Sequence, residues 1–338
     1  MKKHFLWLSC FCLLFAVIFA FGIAGEVTAA QKDWKPEKIS VLNANKPGGG
    51  VDRRSRPIAL QMEKILGIPV VVENKGEAGG AVGCVYFAKN MPKDGSSLLV
   101  HWQLPFSGGI IRKAPYKIDD FAVVCSYTTI VNGLHVHKDS PFKTVVEFID
   151  YAKTHPNELS MAFLVGSSDR VIAQTFIKQF DLKVREVMFN GGGPTRAALA
   201  GKHVDSALVG AETTWSALGD DARTLVLFTD ERSAFKPDIP TMLDVAKANY
   251  PGQTMPGELY KLSNWHFFAT HAEVKEKYPE RFTMLADALK KALDSEEIKK
   301  IAKENYWVPK FVGGDKAQEQ LEWIHETALK FKDMFIKK

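Results

Sequence analysis

The sequence predicts an α/β protein of two lobes, each a mainly parallel sheet flanked by helices, with two crossover strands between them. Three observations carry this reading. From residue 38 onward, short apolar runs alternate with glycine-bearing loops and amphipathic stretches, the pattern of repeating strand, turn and helix. The 338 residues exceed what one core commonly holds. Finally, the chain closes on one late strand and two helical stretches, as expected of a chain that visits a second lobe and returns.

Residues 1–30 stand apart as a signal peptide. Lys2 and Lys3 precede an almost wholly apolar run, 5–23, which small residues close through Val27, Thr28, Ala29 and Ala30. That pattern predicts export to the periplasm, with cleavage near Ala29 or Ala30; a retained anchor is the rival, since the run is almost long enough to span. Cys10 and Cys12 lie inside the run, too early for a lipid-modified cysteine, so no covalent membrane anchor is expected.

In the first lobe, strands are expected at 38–43, 69–73 and 97–101, with helices at 55–66 and 81–90. Pro57 suits the first turn of a helix that begins at 55. After His135 the second set runs as helix 144–155, strand 159–163, helix 169–180, strand 184–189, helix 195–200, strand 206–209, helix 213–218 and strand 224–229. A strand at 265–270 and helices at 279–305 and 316–335 complete the chain. The first lobe is therefore 36–136 plus 264–338 and the second 137–263, with crossings near 135–140 and 262–267. Two adjacent crossings would let the lobes close like a hinge.

Charge and cysteine content narrow the function. Removing 1–30 takes two lysines and one glutamate from totals of 44 and 39 and leaves a net charge of +4. This suits small anions and falls well short of a nucleic-acid-binding surface, so no nucleic acid is expected as a partner. Cys84 and Cys125 could pair in an oxidising compartment or lie buried as small apolar residues.

The sharpest motif is Pro47-Gly48-Gly49-Gly50-Val51-Asp52, set directly after a strand and before a helix. Glycines let backbone N–H groups approach a ligand, and a helix start adds partial positive charge, so the loop suits an anion such as a carboxylate; a tight turn without ligand is the rival. It lacks the Gly-Lys-Ser/Thr of a phosphate loop and the spacing of a dinucleotide loop. A second glycine-bearing loop, 73–80, follows the second strand. Gly166-Ser167-Ser168-Asp169 leads a helix, where Ser167 and Ser168 offer either a cap or donors for a second acid group.

Arg170 and Arg196 follow loops on the presumed cleft and are candidates for a bidentate carboxylate contact or for solvated helix starts. His135 and His137 share one strand face with Asp139 next in step, but no third histidine or cysteine cluster stands at ligand spacing, so packing is the preferred reading and no metal is expected. Neither Gly-x-Ser-x-Gly nor His-Glu-x-x-His occurs, and no catalytic residue or cofactor is implied.

Five motifs in order carry a resemblance: Pro47 to Asp52, Val71-Val72-Glu73-Asn74, Ala78-Gly79-Gly80 with Asp94-Gly95, Asn190-Gly191-Gly192-Gly193-Pro194 with Gly201, Val204 and Asp205, and Pro237-Asp238-Ile239-Pro240-Thr241. Together they resemble the solute-binding proteins of tripartite tricarboxylate transporters, also called Bordetella uptake gene receptors. The resemblance implies a two-lobed periplasmic-binding-protein fold that closes on a small organic carboxylate and performs no chemistry. It implies further that membrane components of such a transporter are partners.

Carried over, it implicates Pro47, Gly48, Gly49 and Asp52, then Ala78, Gly79 and Gly80, with Asn190, Gly191 and Asp205 from the second lobe. Three departures touch the ligand. Lys46 adds a cation before the proline, Phe189-Asn190 replaces a Tyr-Lys pair, and His101-Trp102-Gln103 replaces small polar residues at the cleft edge. Trp102 is expected to wall the pocket beside Gln103 and favour a ring-bearing or longer acid, either mono- or dicarboxylate. A ligand-presenting sensory module and a secreted enzyme on the same scaffold are the rival functions.

Overall fold

A computed structural model describes residues 34–333 apart from 166 and 263; the expected signal peptide and its cleavage site lie outside the described residues. In chain order the elements are β1 (Ile39–Asn43), α1 (Gly50–Leu66), β2 (Val70–Asn74), α2 (Ala81–Asn90), β3 (Ser97–Trp102), α3 (Gln103–Ile111) and β4 (Phe121–Ile130). Then come β5 (Asn132–His137), α4 (Val145–Thr154), β6 (Ser160–Leu164), α5 (Ser168–Gln179), β7 (Arg185–Phe189), α6 (Gly192–Ala200), β8 (Ser206–Gly210), α7 (Ala211–Leu218) and β9 (Ala222–Phe228). The chain finishes with α8 (Met242–Asn249), α9 (Gly257–Tyr260), β10 (Asn264–His271), α10 (Ala272–Lys277), α11 (Pro279–Asp294), α12 (Glu296–Glu304), β11 (Val312–Gly313) and α13 (Gly314–Lys330).

These strands form two mixed sheets, ordered β11-β4-β10-β3-β1-β2 and β7-β6-β8-β5-β9. In each sheet three strands run parallel: β1 with β2 and β3, and β6 with β7 and β8. The remaining strands pair antiparallel, β10 between β3 and β4 in the first sheet and β5 between β8 and β9 in the second. The carboxyl ends of the parallel strands carry the glycine loops, which is where open α/β sheets bind ligands.

Sheet membership changes at Val131, earlier than the expected boundary at 136/137, because β4 ends at Ile130 and β5 already belongs to the second sheet. The return falls just before Asn264, which stands opposite Ile130 in the β10–β4 ladder, so both crossings lie side by side. Among the described residues, no helix is long and apolar enough to cross a membrane.

Several boundaries differ from expectation for identifiable reasons. Helix α1 starts at Gly50, capped by extended Gly49, so Pro57 sits in the helix interior and forfeits the bond to the Arg53 carbonyl. The expected helix 279–305 breaks at Ser295, whose hydroxyl accepts from Ile298 N (3.3 Å) and starts α12 anew. Strand β4 and helix α3 had no periodic signal: β4 is buried at almost every position and α3 is nearly uniformly apolar.

Both faces of the first sheet are covered. Phe268, Trp307 and Leu289 belong to the cluster on one face, and Phe87, Phe106 and Phe267 to the cluster on the other. Cys125 lies in the first cluster and Cys84 in the second, with the sheet between them; both are free, buried thiols. The second sheet, through Phe163 of β6, packs on Phe148, Phe176 and Phe180, and this cluster also takes in Ile324 and Ala328 of α13.

Candidate functional site

The first glycine loop is held by one carboxylate. Asp52, 4 % exposed, accepts from Gly48 N (2.9 Å), Asn43 Nδ2 (3.2 Å), Asn74 Nδ2 (2.9 Å) and Arg56 Nε (3.0 Å to each oxygen). Burial by itself would raise this carboxyl, but Arg56, the Gly48 N–H and Asn74 together hold it below the usual carboxylate range. Asn74 also donates to Asn45 O (3.0 Å), and Asn45 Nδ2 donates to Asn43 Oδ1 (2.8 Å), so the ends of β1 and β2 are laced to the loop.

The second loop is shaped by close approach. Ala78, Gly79 and Gly80 take φ values of 51°, 68° and 91°, three successive left-handed residues, of which Ala78 bears a side chain at a cost of about 1 kcal/mol. A Cβ at Gly80 would lie 2.4 Å from His101 Cε1 and 2.5 Å from Ala44 O, so only glycine fits above the end of β3. The neighbouring Gly76 leaves no more room, since a Cβ there would lie 2.5 Å from Lys46 N; the two loops touch backbone to backbone. Pro47, Gly48, Ala78 and Gly79 are exposed on the open side, as is Lys46.

Facing them, Trp102 at the end of β3 packs against the first core around Val100 and also against Leu164, Leu199 and Val209 of the second lobe. Its ring stands edge-on to His266 (6.4 Å, 86°). Gln103 is fully buried, and neither its Oε1 nor its Nε2 has a partner among the described residues. His101 is likewise buried with both ring nitrogens unpaired, and burial lowers it to about 3, so it is neutral.

In the second sheet, the loops after β6, β7 and β8 stand at the carboxyl ends of its parallel strands. Ser167 and Ser168 are buried at the start of α5, and Ser167 Oγ donates to Leu164 O (3.1 Å). Asn190 is exposed and Gly191 half-buried before α6. Asp205 is elsewhere: at the start of β8, the opposite end of that strand from the glycine loops, it accepts from Ser160 N (2.8 Å) and Oγ (2.7 Å). It ties the starts of β6 and β8, two interior strands, at the end away from the glycine loops. His135, also buried, lies within hydrogen-bond distance of Thr224 Oγ1 (2.9 Å) and Val209 O (3.1 Å), a packing position.

One arginine went unread in the sequence, beside Arg196, which was singled out. Arg54, 5 % exposed, donates from Nη1 to Gly50 O (3.1 Å) and lies over the Trp307 ring (5.8 Å). Arg196 donates from Nη1 to Thr213 Oγ1 (3.2 Å), and Glu212 accepts from Val131 N (3.1 Å). Burial lowers Arg54 and Arg196 to about 10 and raises Glu212 to about 7. The available signal was Arg53-Arg54 itself: two adjacent cations near the start of a helix oppose its dipole.

Residues 55–338 match the family described as tripartite tricarboxylate transporter family receptor. The chain belongs to that receptor family. A Cupriavidus necator relative, the UPF0065 protein in the gbd 5' region, is 29% identical over 327 residues, which cover 93% of this chain and 91% of its own. The periplasmic binding protein BugD aligns at a TM-score of 0.74 with 21% identity, over 89% of this receptor and 98% of BugD. An R. palustris protein solved with adipate aligns equally well, at 0.74 and 22% identity, over 90% of this chain and 98% of its own. The receptor thus has the two-domain periplasmic-binding-protein fold.

Proposed function

We propose that this receptor is exported to the periplasm, captures a small organic carboxylate between its lobes, and presents it to the membrane components of a tripartite tricarboxylate-type transporter. The observation that carries the proposal is the pair of glycine loops at the carboxyl ends of β1 and β2. Asp52 fixes one and the Gly80–His101 contact fixes the other, leaving their outer backbone at the cleft mouth. With the Gly48 and Gly49 N–H groups bonded within the loop, the first N–H groups of α1, which a helix leaves without partners of its own, are the donors that meet an acid group without reorganisation when the lobes close and water leaves. The adipate held by a structural neighbour fits this reading.

Gly49 borders the first loop, where a Cβ would press on Lys46 O (3.1 Å), so the melting temperature of the unliganded variant serves as the control for its fold. One of a panel of aliphatic and aromatic mono- and dicarboxylates is expected to raise the melting temperature of the ligand-stripped protein. Gly49→Val, which sets a branched side chain beside the first N–H groups of α1, is expected to weaken that acid at least about tenfold by calorimetry. No shift with any acid would remove carboxylate capture; turnover of a bound acid or ester would replace it with an enzymatic role.

A further inference from the structure

Glu212 stands at a crossing between the lobes. The chain passes from the first sheet to the second at Val131, between the end of β4 and the start of β5. Both backbone groups of that residue are held by the start of α7. Val131 N donates to Glu212 Oε1 (3.3 Å) and Oε2 (3.1 Å), and Ala211 N donates to Val131 O (2.7 Å). The crossing residue therefore travels with α7, and the Glu212 carboxyl group lies where the lobes meet.

The first lobe covers the start of α7 from two sides. Ile130, the last residue of β4, presses on the turn before α7, its Cγ2 2.8 Å from a Cβ built on Gly210. A Cβ built on Gly50, at the start of α1, would lie 3.1 Å from Thr213 Cγ2 and 3.0 Å from Arg54 Nη1. Beside that contact, Arg53, Arg54 and Trp307 of the first lobe and Thr213 and Ser216 of the second border a cavity of about 40 Å³, with room for water. Glu212 is 7 % exposed, and among the described residues no cation lies within ion-pair distance of it. Burial without a paired cation disfavours a carboxylate, and parting the lobes opens this seam to water and removes part of that burial.

The groups around it do not share its range. Arg54 of α1, which attracts it, and Arg196 of α6, which donates to Thr213 Oγ1, are lowered only to about 10. Burial raises Tyr127 of β4, lowers His135 of β5 to about 4 and holds His266 of β10 well below its ordinary value. Arg53 of α1 and Lys236, whose ammonium lies over the Trp215 ring (5.6 Å), add positive charge. Glu212 itself is raised to about 7, chiefly by burial, while its own backbone N–H, Arg54 and the Val131 N–H work the other way.

We infer that Glu212 is a proton-sensitive pin at the hinge: its carboxyl group takes a proton from solvent as the lobes close over the acid and returns it as they part, so that ligand capture is linked to proton uptake. The inference rests on lobe closure over a carboxylate as proposed above. The protonated group still accepts from Val131 N through its carbonyl oxygen, so the hinge bond outlasts the arrival of the proton. The sign follows from linkage. A carboxyl raised in the closed form favours closure as pH falls through about 7 toward its ordinary value of about 4.5. The acid is thus held more tightly where protons are abundant and let go as pH rises.

The test is calorimetry on the purified, ligand-stripped protein with the linear dicarboxylates from malonate to suberate, benzoate and phthalate. Each is titrated in two buffers of different ionisation enthalpy, which counts the protons taken up on binding. An acid that binds is expected to bring in about half a proton at pH 7, more at pH 6 and none above about pH 8.5. It is expected to bind about three- to tenfold tighter at pH 6 than at pH 8. Glu212→Gln keeps an acceptor for Val131 N, and should bind the same acid with no proton taken up and no pH dependence over that range. Uptake that persists in Glu212→Gln would place the proton elsewhere and overturn the inference. Binding without uptake, or with proton release, in the unaltered protein would overturn it too and leave carboxylate capture standing, and this arm needs no variant to fold. Binding of no acid at all would sink carboxylate capture, and the linkage with it.

Discussion

Asp52 directs its charge inward. With five bonds from four partners, its carboxylate has nothing to offer an anionic ligand and would repel one at contact range. Its work is to set the Gly48 backbone, and the sequence named the residue but could not tell ligand contact from scaffold. Asp205 shows the same limit: a motif names a residue, while its end of the strand decides what it can touch. Asp52→Ala strands the Gly48 N–H and two asparagine amides, and is expected to destabilise the fold by about 2–4 kcal/mol, read from the urea midpoint. Acid affinity should fall with it, whereas unchanged stability would show the lacing to be dispensable.

At the scale of elements, the alternating strands and helices were legible because each carries its own period and its own turn residues. Strand β4 was not, since a strand covered on both faces shows no alternation, and α1 was misplaced because its cap is a glycine indistinguishable from the loop. Three strands share a further property: β3, β5 and β10 each bury a histidine. Burial holds His101 near 3, His135 near 4 and His266 well below its ordinary value.

A histidine depressed in the fold takes up its proton only on unfolding, so its contribution is complete above about pH 6.5 and is lost as pH falls toward the folded value. Glu212, raised to about 7, acts with the opposite sign between about pH 4.5 and 7, but it is one group against three. The urea midpoint is therefore expected to fall steadily from pH 7 to pH 5. A midpoint that rises on acidification would mean that Glu212 outweighs the imidazoles or that they are charged in the native protein.

For the whole molecule, the pair of lobes was readable from length and from the late return of the chain, but the contacts between them were not, because they join residues far apart in sequence. Asn305 Oδ1 accepts from Ser216 Oγ (3.0 Å), and the Tyr306 ring stands edge-on to Trp215 and Phe235, 6.0 Å from each. Both residues lie in the turn after α12, on the first lobe, and grip α7 and the loop after β9 on the second. This contact exists only while the lobes are together, so in the closing motion proposed above it adds to the closed state without touching the ligand. Tyr306 has a φ of 55°, and alanine keeps that left-handed strain, so Tyr306→Ala removes the ring alone. Each aromatic pair contributes about 0.5–1.5 kcal/mol, so losing both should release the acid about five- to 150-fold faster with little change in association rate. Stopped-flow displacement measures this directly. An unchanged release rate would show that the lobes separate elsewhere, or that this turn travels with the second lobe.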